Sequence, residues 1–210
     1  MKRCVMRHRR RLQFEVLEDR TLLALTVVPQ VSINFDDLAS GTEIKSQYHA
    51  QGLDFTPLLV NSRNYRPIVT TVPAEQAMSG TRVAGVFGPG SGAPPEIAAP
   101  EIKGSFTTYH RWVSVGVGEF GTYDDTNQVT LKVYDRDHKL ITTAGPKTVS
   151  MGGGFRTILF AQAPEANIFS FEVAADAVQD KGDSLGIDNL SFDKTLTKPD
   201  FTVSSSGPVK

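Results

Sequence analysis

The side chains that invite chemistry are aspartates at strand ends. Asp36 and Asp37 follow the alternating run Ser32-Ile33-Asn34-Phe35, and Asp188 and Asn189 sit inside Gly186-Ile187-Asp188-Asn189-Leu190-Ser191-Phe192. Side chains alternate along a strand, so Ile33, Phe35 and Asp37 are expected on one face, as are Asp188, Leu190 and Phe192. If the two runs pair antiparallel, Asp37 and Asp188 meet at the rim of a core. Carboxylates so placed repel unless a cation or an arginine joins them. Calcium suits such a rim, because it takes roughly six to eight oxygens from carboxylates and backbone carbonyls. Asp36, Asp37, Asp188 and Asn189 are therefore the expected Ca2+ ligands. Glu119, Asp124 and Asp125 are a second candidate, and Asp180 with Asp183 a further acidic loop. The competing reading gives the aspartates to turns, through Asx hydrogen bonds. No EF-hand spacing is present.

Sugar binding needs aromatic rings beside hydrogen-bonding groups. Trp112, Tyr109, Tyr123 and Tyr65 are the candidates, against the plainer reading that they pack in the core or at its edge. Trp112 leads, because Val113, Val115 and Val117 claim the opposite face of its strand. Catalysis has little support. His49, His110 and His138 are scattered, and no nucleophile elbow, zinc-binding His pair or triad-like grouping appears. A pair of carboxylates for glycoside hydrolysis stays open, since that spacing is spatial rather than sequential.

The elements that must position these residues read as strands and turns. Eighteen Gly and twelve Pro punctuate the 210 residues, and Val, Thr and Ile alternate with polar residues between them. The clearest unit is a hairpin: Val129, Leu131 and Val133 alternate with Thr130, Lys132 and Tyr134 before the turn Asp135–Lys139. Phe169, Phe171 and Val173 are expected to face the core, with Ile168, Ser170 and Glu172 facing away. Roughly nine to eleven strands and no long helix predict an all-β, antiparallel β-sandwich of jelly-roll type with its first and last strands adjacent. The single cysteine, Cys4, lies in a basic leader, so disulfides do not hold the folded part. Residues 1–25 read as leader, 26–194 as the sandwich domain, and 195–210 as a linker or the start of a further domain. The net charge is −1, and the arginines cluster at the terminus without interleaved aromatics, which argues against nucleic acid. No run approaches the ~18 apolar residues of a membrane span.

Two resemblances extend this reading. Phe14-Glu15, Leu17-Glu18, Arg20 and Leu22-Leu23-Ala24 resemble the N-terminal export motif of planctomycete extracellular proteins, which implies an extracellular or cell-surface place. Three pieces of the body are similar to the jelly-roll domains of exported bacterial surface proteins, many of which carry PEP-CTERM tails. They are Asn34-Phe35-Asp36-Asp37-Leu38 with Gly41-Thr42; Val113–Gly118 with Val129–Asp135; and Gly186–Phe192. That resemblance implies a carbohydrate-binding-module-like layout, in some relatives with a structural calcium ion. The expectation is a secreted, non-enzymatic module that binds polysaccharide or a cell-surface glycan and serves adhesion. The alternatives are a structural spacer of a larger surface protein and a hydrolase-type jelly roll.

Overall fold

The computed structural model describes residues 30–60, 63–87, 101–119, 126–150, 153–175 and 184–194. The chain runs through β1 (Gln30–Ile33), a single 3-10 turn (His49–Gln51), β2 (Leu53–Thr56), β3 (Leu58–Val60), β4 (Arg63–Tyr65), β5 (Ile68–Thr71) and β6 (Arg82–Phe87). It continues through β7 (Glu101–His110), β8 (Trp112–Glu119), β9 (Thr126–Tyr134), β10 (Leu140–Ser150), β11 (Thr157–Gln162), β12 (Ile168–Ala175) and β13 (Ser184–Asp193). The first sheet has the order β11-β8-β13-β6-β5, with β1 also on β13. The second has the order β10-β9-β12-β7-β2, and β3 and β4 make a small hairpin. All pairings are antiparallel. No helix among the described residues is long and apolar enough to cross a membrane.

Alternation builds the core. Val113, Val115 and Val117 of β8 are fully buried, as are Val129, Leu131 and Val133 of β9. β-Branched residues at every second position suit a pleated, half-buried strand. The two inner faces meet through aromatic rings. Phe106 of the second sheet lies 4.9 Å from Phe192 of the first, and Phe55 contacts Phe35 and Phe171 edge-on at 6.1 and 6.4 Å. Burying one such ring contributes about 1.5–3 kcal/mol.

The first and last strands pair as expected, with Ile33 opposite Leu190 and Val31 opposite Phe192. The expected faces need correction. Asp188 opposes Gly116, but the next pair of β13 with β8 is Ser191 with Ser114. One extra residue therefore bulges from β13 at Asn189, whose φ of 47 is left-handed. The bulge breaks the two-residue alternation: Asp188 lies on the outer face beside Gly116, while Leu190 returns to the core. β1 likewise ends at Ile33, and Phe35 has a φ of 64. Asp37 thus does not continue a strand face. Phe169 is also displaced. β12 loses register with β7 between Ile168 and Ser170, so Ile168 is buried and Phe169 half-exposed. Arg63–Tyr65 forms β4, paired with β3.

A second layer covers part of the first sheet's outer face. Val72, Ala77, Val83 and Phe155 form a small cluster there, with Met78 against it. A Cβ on Gly116 would come within 2.9 Å of the Met78 methyl carbon, and one on Gly118 within 2.6 Å of the Gly154 carbonyl. These glycines are what let loop 73–81 and the turn at Gly154 lie flat on the strands.

Candidate functional site

The aspartates singled out for calcium hold backbone. Asp188 is fully buried. Its Oδ2 accepts the N–H groups of Met78 and Ser79 at 2.9 and 3.0 Å, and its Oδ1 accepts that of Asn189 at 2.7 Å. Burial pushes its carboxyl above the usual aspartate range, and the three N–H donors pull it back. The Asn189 side chain accepts from the Ser79 hydroxyl. Asp36, rather than Asp37, joins Asp188 at this loop: its Oδ1 accepts the N–H groups of Thr81 and Arg82 at 3.0 and 3.1 Å. Arg82 in turn donates to the carbonyls of Asp36 and Leu38. The two carboxylates pin loop 78–82 where β13 passes from β6 to β1. Asp37 accepts the Tyr48 hydroxyl at 2.7 Å, and burial together with that carboxylate raises the Tyr48 phenol far above its ordinary value. Among the described residues no three acidic or histidine side chains gather as a metal site. Glu119 is buried at the end of β8. Asp124, Asp125, Asp180, Asp183 and Tyr123 lie outside the described residues, as does the Tyr65 side chain.

The aromatic candidates part company. Trp112 is on the outer face of the first sheet, stacked at 6.0 Å on Phe160 of β11. Tyr109, 40% exposed, is on the second sheet, where β7 bulges against β12, and its ring lies 5.6 Å from Phe169. Arg136, from the β9–β10 turn, sits over Phe169 at 5.8 Å.

Two concavities stand out among the described residues: one of ≈ 390 Å³ between Val31, His49, Thr107, His110 and Phe192, and one on the outer face of the second sheet, where charged and hydroxyl side chains converge. The latter, a groove of ≈ 340 Å³, is lined by Thr56, Lys103, Ser105, Tyr134, Ser170 and Glu172, with His138 at its rim. Strand order makes it. Glu172 on β12 stands opposite Lys132 on β9 and Lys103 on β7. Its carboxylate lies 2.9 Å from the Lys132 ammonium and 3.6 Å from that of Lys103, which also meets Glu101 at 2.9 Å. One row on, Ser170 stands opposite both Tyr134 and Ser105. Tyr134 donates its hydroxyl to Glu172 at 3.4 Å. Burial lowers the Lys103 ammonium, and Glu101 and Glu172 more than offset this, leaving it above the ordinary lysine value. Lys132 is also held up, by its hydrogen bond to Glu172. Burial and the neighbouring Glu172 raise the Tyr134 phenol, so it stays a donor at neutral pH. The result is a fixed row of donors and acceptors beside one aromatic ring.

Of the aromatic candidates named from sequence, Tyr109 is on a strand of this groove, as is His110 of the histidines, and His138 is at its rim. Of its residues and their partners, Lys132, Tyr134 and Glu172 were legible as lying on the face away from the core, and Lys103 was not singled out. Their convergence depends on β7, β12 and β9 lying side by side.

No protein-family model matches the chain, and no curated protein matches it. Among solved structures it is similar to the K2 cleaved adhesin domain of Lys-gingipain, at 10% identity and a TM-score of 0.47, covering 79% of this chain and 99% of that one. It is similar to a non-crystalline cellulose-specific carbohydrate-binding module, CBM28, at 12% identity and 0.42, covering 80% and 94%. A third is the C-terminal family 22 carbohydrate-binding module of Clostridium thermocellum Xyn10B, at 13% identity and 0.37, covering 75% and 96%. These are likenesses of general sandwich architecture. The fold rests on the two sheets themselves.

Proposed function

We propose that this domain is a secreted, non-catalytic carbohydrate-binding module of the cell surface, and that the glycan lies in the groove across β9, β12, β7 and β2. One observation carries the reading: the groove sets the half-buried ring of Tyr134 beside a polar row of Glu172, Lys103, Ser105 and Ser170, with Lys132 paired to Glu172 next to it. A sugar ring has an apolar C–H face and a rim of hydroxyls. The first packs on an aromatic ring. Each hydroxyl both donates and accepts, so it is matched by ammonium donors, a carboxylate acceptor and serine hydroxyls. The cross-strand ion pairs hold these groups in place before a ligand arrives, which lowers the ordering cost of binding. Glu172 is clamped between two ammonium groups and Glu101 is paired with Lys103. Binding chemistry suits carboxylates so engaged better than proton transfer does.

The test is retention of the full chain on a panel of neutral and uronate-bearing polysaccharides, by affinity electrophoresis. Retention by at least one, weakened in Tyr134→Ala and in Glu172→Gln, is the expected result. No retention by any member, or release of reducing sugar from one, would overturn the reading.

A further inference from the structure

The charges of the groove are balanced. Glu172 lies on β12, the middle strand of the second sheet, with Lys132 opposite it on β9 and Lys103 opposite it on β7. Its two carboxylate oxygens are divided between them: Oε1 meets the Lys132 ammonium at 2.9 Å, and Oε2 that of Lys103 at 3.6 Å. Glu101 takes the Lys103 ammonium at 2.9 Å. Two ammonium groups and two carboxylates are thus linked across three strands, and their formal charges cancel. Thr56 and Thr143 end this cross-strand row, opposite Lys103 and Lys132, and add no charge. The next row, Ser105, Ser170 and Tyr134, carries hydroxyls alone. Beyond it Asp54, opposite Ser105, is paired with His49. Glu172 is the most buried of the central three, its side chain 15% exposed against 35% for Lys103 and 37% for Lys132. It therefore stays paired when a ligand covers the lysines.

We infer that Glu172 sets the specificity of this groove: by holding both lysines it admits an uncharged glycan and turns away one that bears uronate or sulfate. The inference rests on the carbohydrate-binding reading above and adds the charge class of the ligand. A hydroxyl both donates and accepts, so it fits beside an ammonium and a carboxylate without displacing either. A uronate or sulfate group only accepts. To reach the ammonium groups it must displace Glu172, and while Glu172 stays in place the two like charges repel. Without the Glu172 carboxylate the same two lysines, balanced by Glu101 alone, make a cationic site that fits acidic sugars. One side chain separates the two ligand classes.

Affinity electrophoresis of the full chain at about pH 8, where imidazoles are ordinarily uncharged, tests this. The probes are the best-retained polysaccharide of the panel in carboxymethylated form and, as an uncharged match, in hydroxyethylated form. The wild type should be retained about tenfold better by the hydroxyethyl form, the scale of one charge-assisted contact. Glu172→Gln should narrow that ratio on the order of tenfold by gaining the carboxymethyl form, and the gain should fade as salt rises from about 20 to 500 mM. Glu101→Gln, which unbalances the row from its end, should narrow it in the same direction and less. Glu172→Gln combined with Lys132→Gln cancels the charge again and should restore the ratio, with matching circular dichroism in all variants. A best-retained polysaccharide that is itself acidic, or a wild type that prefers the carboxymethyl form, overturns the inference and leaves carbohydrate binding standing. So does a ratio that Glu172→Gln leaves unchanged while the hydroxyethyl form is still retained. No retention by any polysaccharide overturns both.

Discussion

Replacing Asp188 with alanine should loosen the sandwich far more than an ordinary surface change. The side chain is fully buried and accepts three backbone N–H groups, two of them from loop 73–81. Truncation strands the N–H groups of Met78 and Ser79, at about 1–3 kcal/mol for each left unsatisfied. Removing the carboxylate also removes its own burial penalty, the one that raises its pKa, and this offsets part of the loss. A net cost of about 3 kcal/mol follows, or roughly 6–12 °C in Tm for a domain of this size. Asp188→Asn keeps one acceptor oxygen but turns an amide donor toward another donor, so it should fall between wild type and alanine. Urea and thermal unfolding measure the cost. Hydrogen exchange shows where it falls: the Met78 and Ser79 amides should exchange faster than those of β9 in the alanine variant. An alanine variant within about 0.5 kcal/mol of wild type would refute the latch, because that is the range of an inconsequential surface substitution.

Two further outcomes follow from the same geometry. His110 is buried, donating from Nδ1 to the Asp193 carbonyl, and burial lowers its pKa from 6.5. Between that value and its lower folded value the unfolded chain binds the proton and the folded chain does not. Stability is therefore full above pH 6.5 and declines as pH falls through the folded pKa. Asp188, raised from 3.8, acts in the opposite sense, gaining stability as pH falls toward that value. Comparing unfolding of wild type and His110→Gln across this range isolates the histidine, and equal slopes would show that it does not titrate on unfolding. For calcium, the oxygens of Asp188 and the Oδ1 of Asp36 already accept N–H groups. EDTA followed by excess calcium should leave the Tm within about 2 °C, less than 1 kcal/mol at this size. A calcium-dependent rise that disappears in Asp188→Ala would place the metal at the latch.

The sandwich was legible because its strands alternate. The valines of β8 and β9 read directly as core, and Trp112 as facing away from it. Alternation fails where a strand gains a residue. Asparagine tolerates a left-handed φ, but that weak signal does not fix a bulge at Asn189, and nothing local marks Phe35 as lying past the end of β1, so the expected faces of Asp188 and Asp37 came out wrong. Phe169 was misplaced for the same reason, at the bulge between β7 and β12. The groove was invisible for a different reason. Lys132 and Tyr134 belong to one hairpin strand, Glu172 lies about forty residues later, and Lys103 precedes them all. Sequence gives the outward face of each strand, but it does not give the neighbour order that sets Glu172 between two lysines.

Carbohydrate binding in the groove is the central claim, and an NMR titration of the isotopically labelled chain tests it most directly. The probe is an oligosaccharide cut from the best-retained polysaccharide of the panel. The predicted result is a set of shift changes centred on Lys103, Ser105, Tyr134, Ser170 and Glu172, with binding weakened by up to about tenfold in Tyr134→Ala, the scale of a lost aromatic contact. Shift changes confined to Trp112 and Phe160 on the first sheet would contradict the assignment of the groove. Failure of every polysaccharide to bind would contradict the function itself.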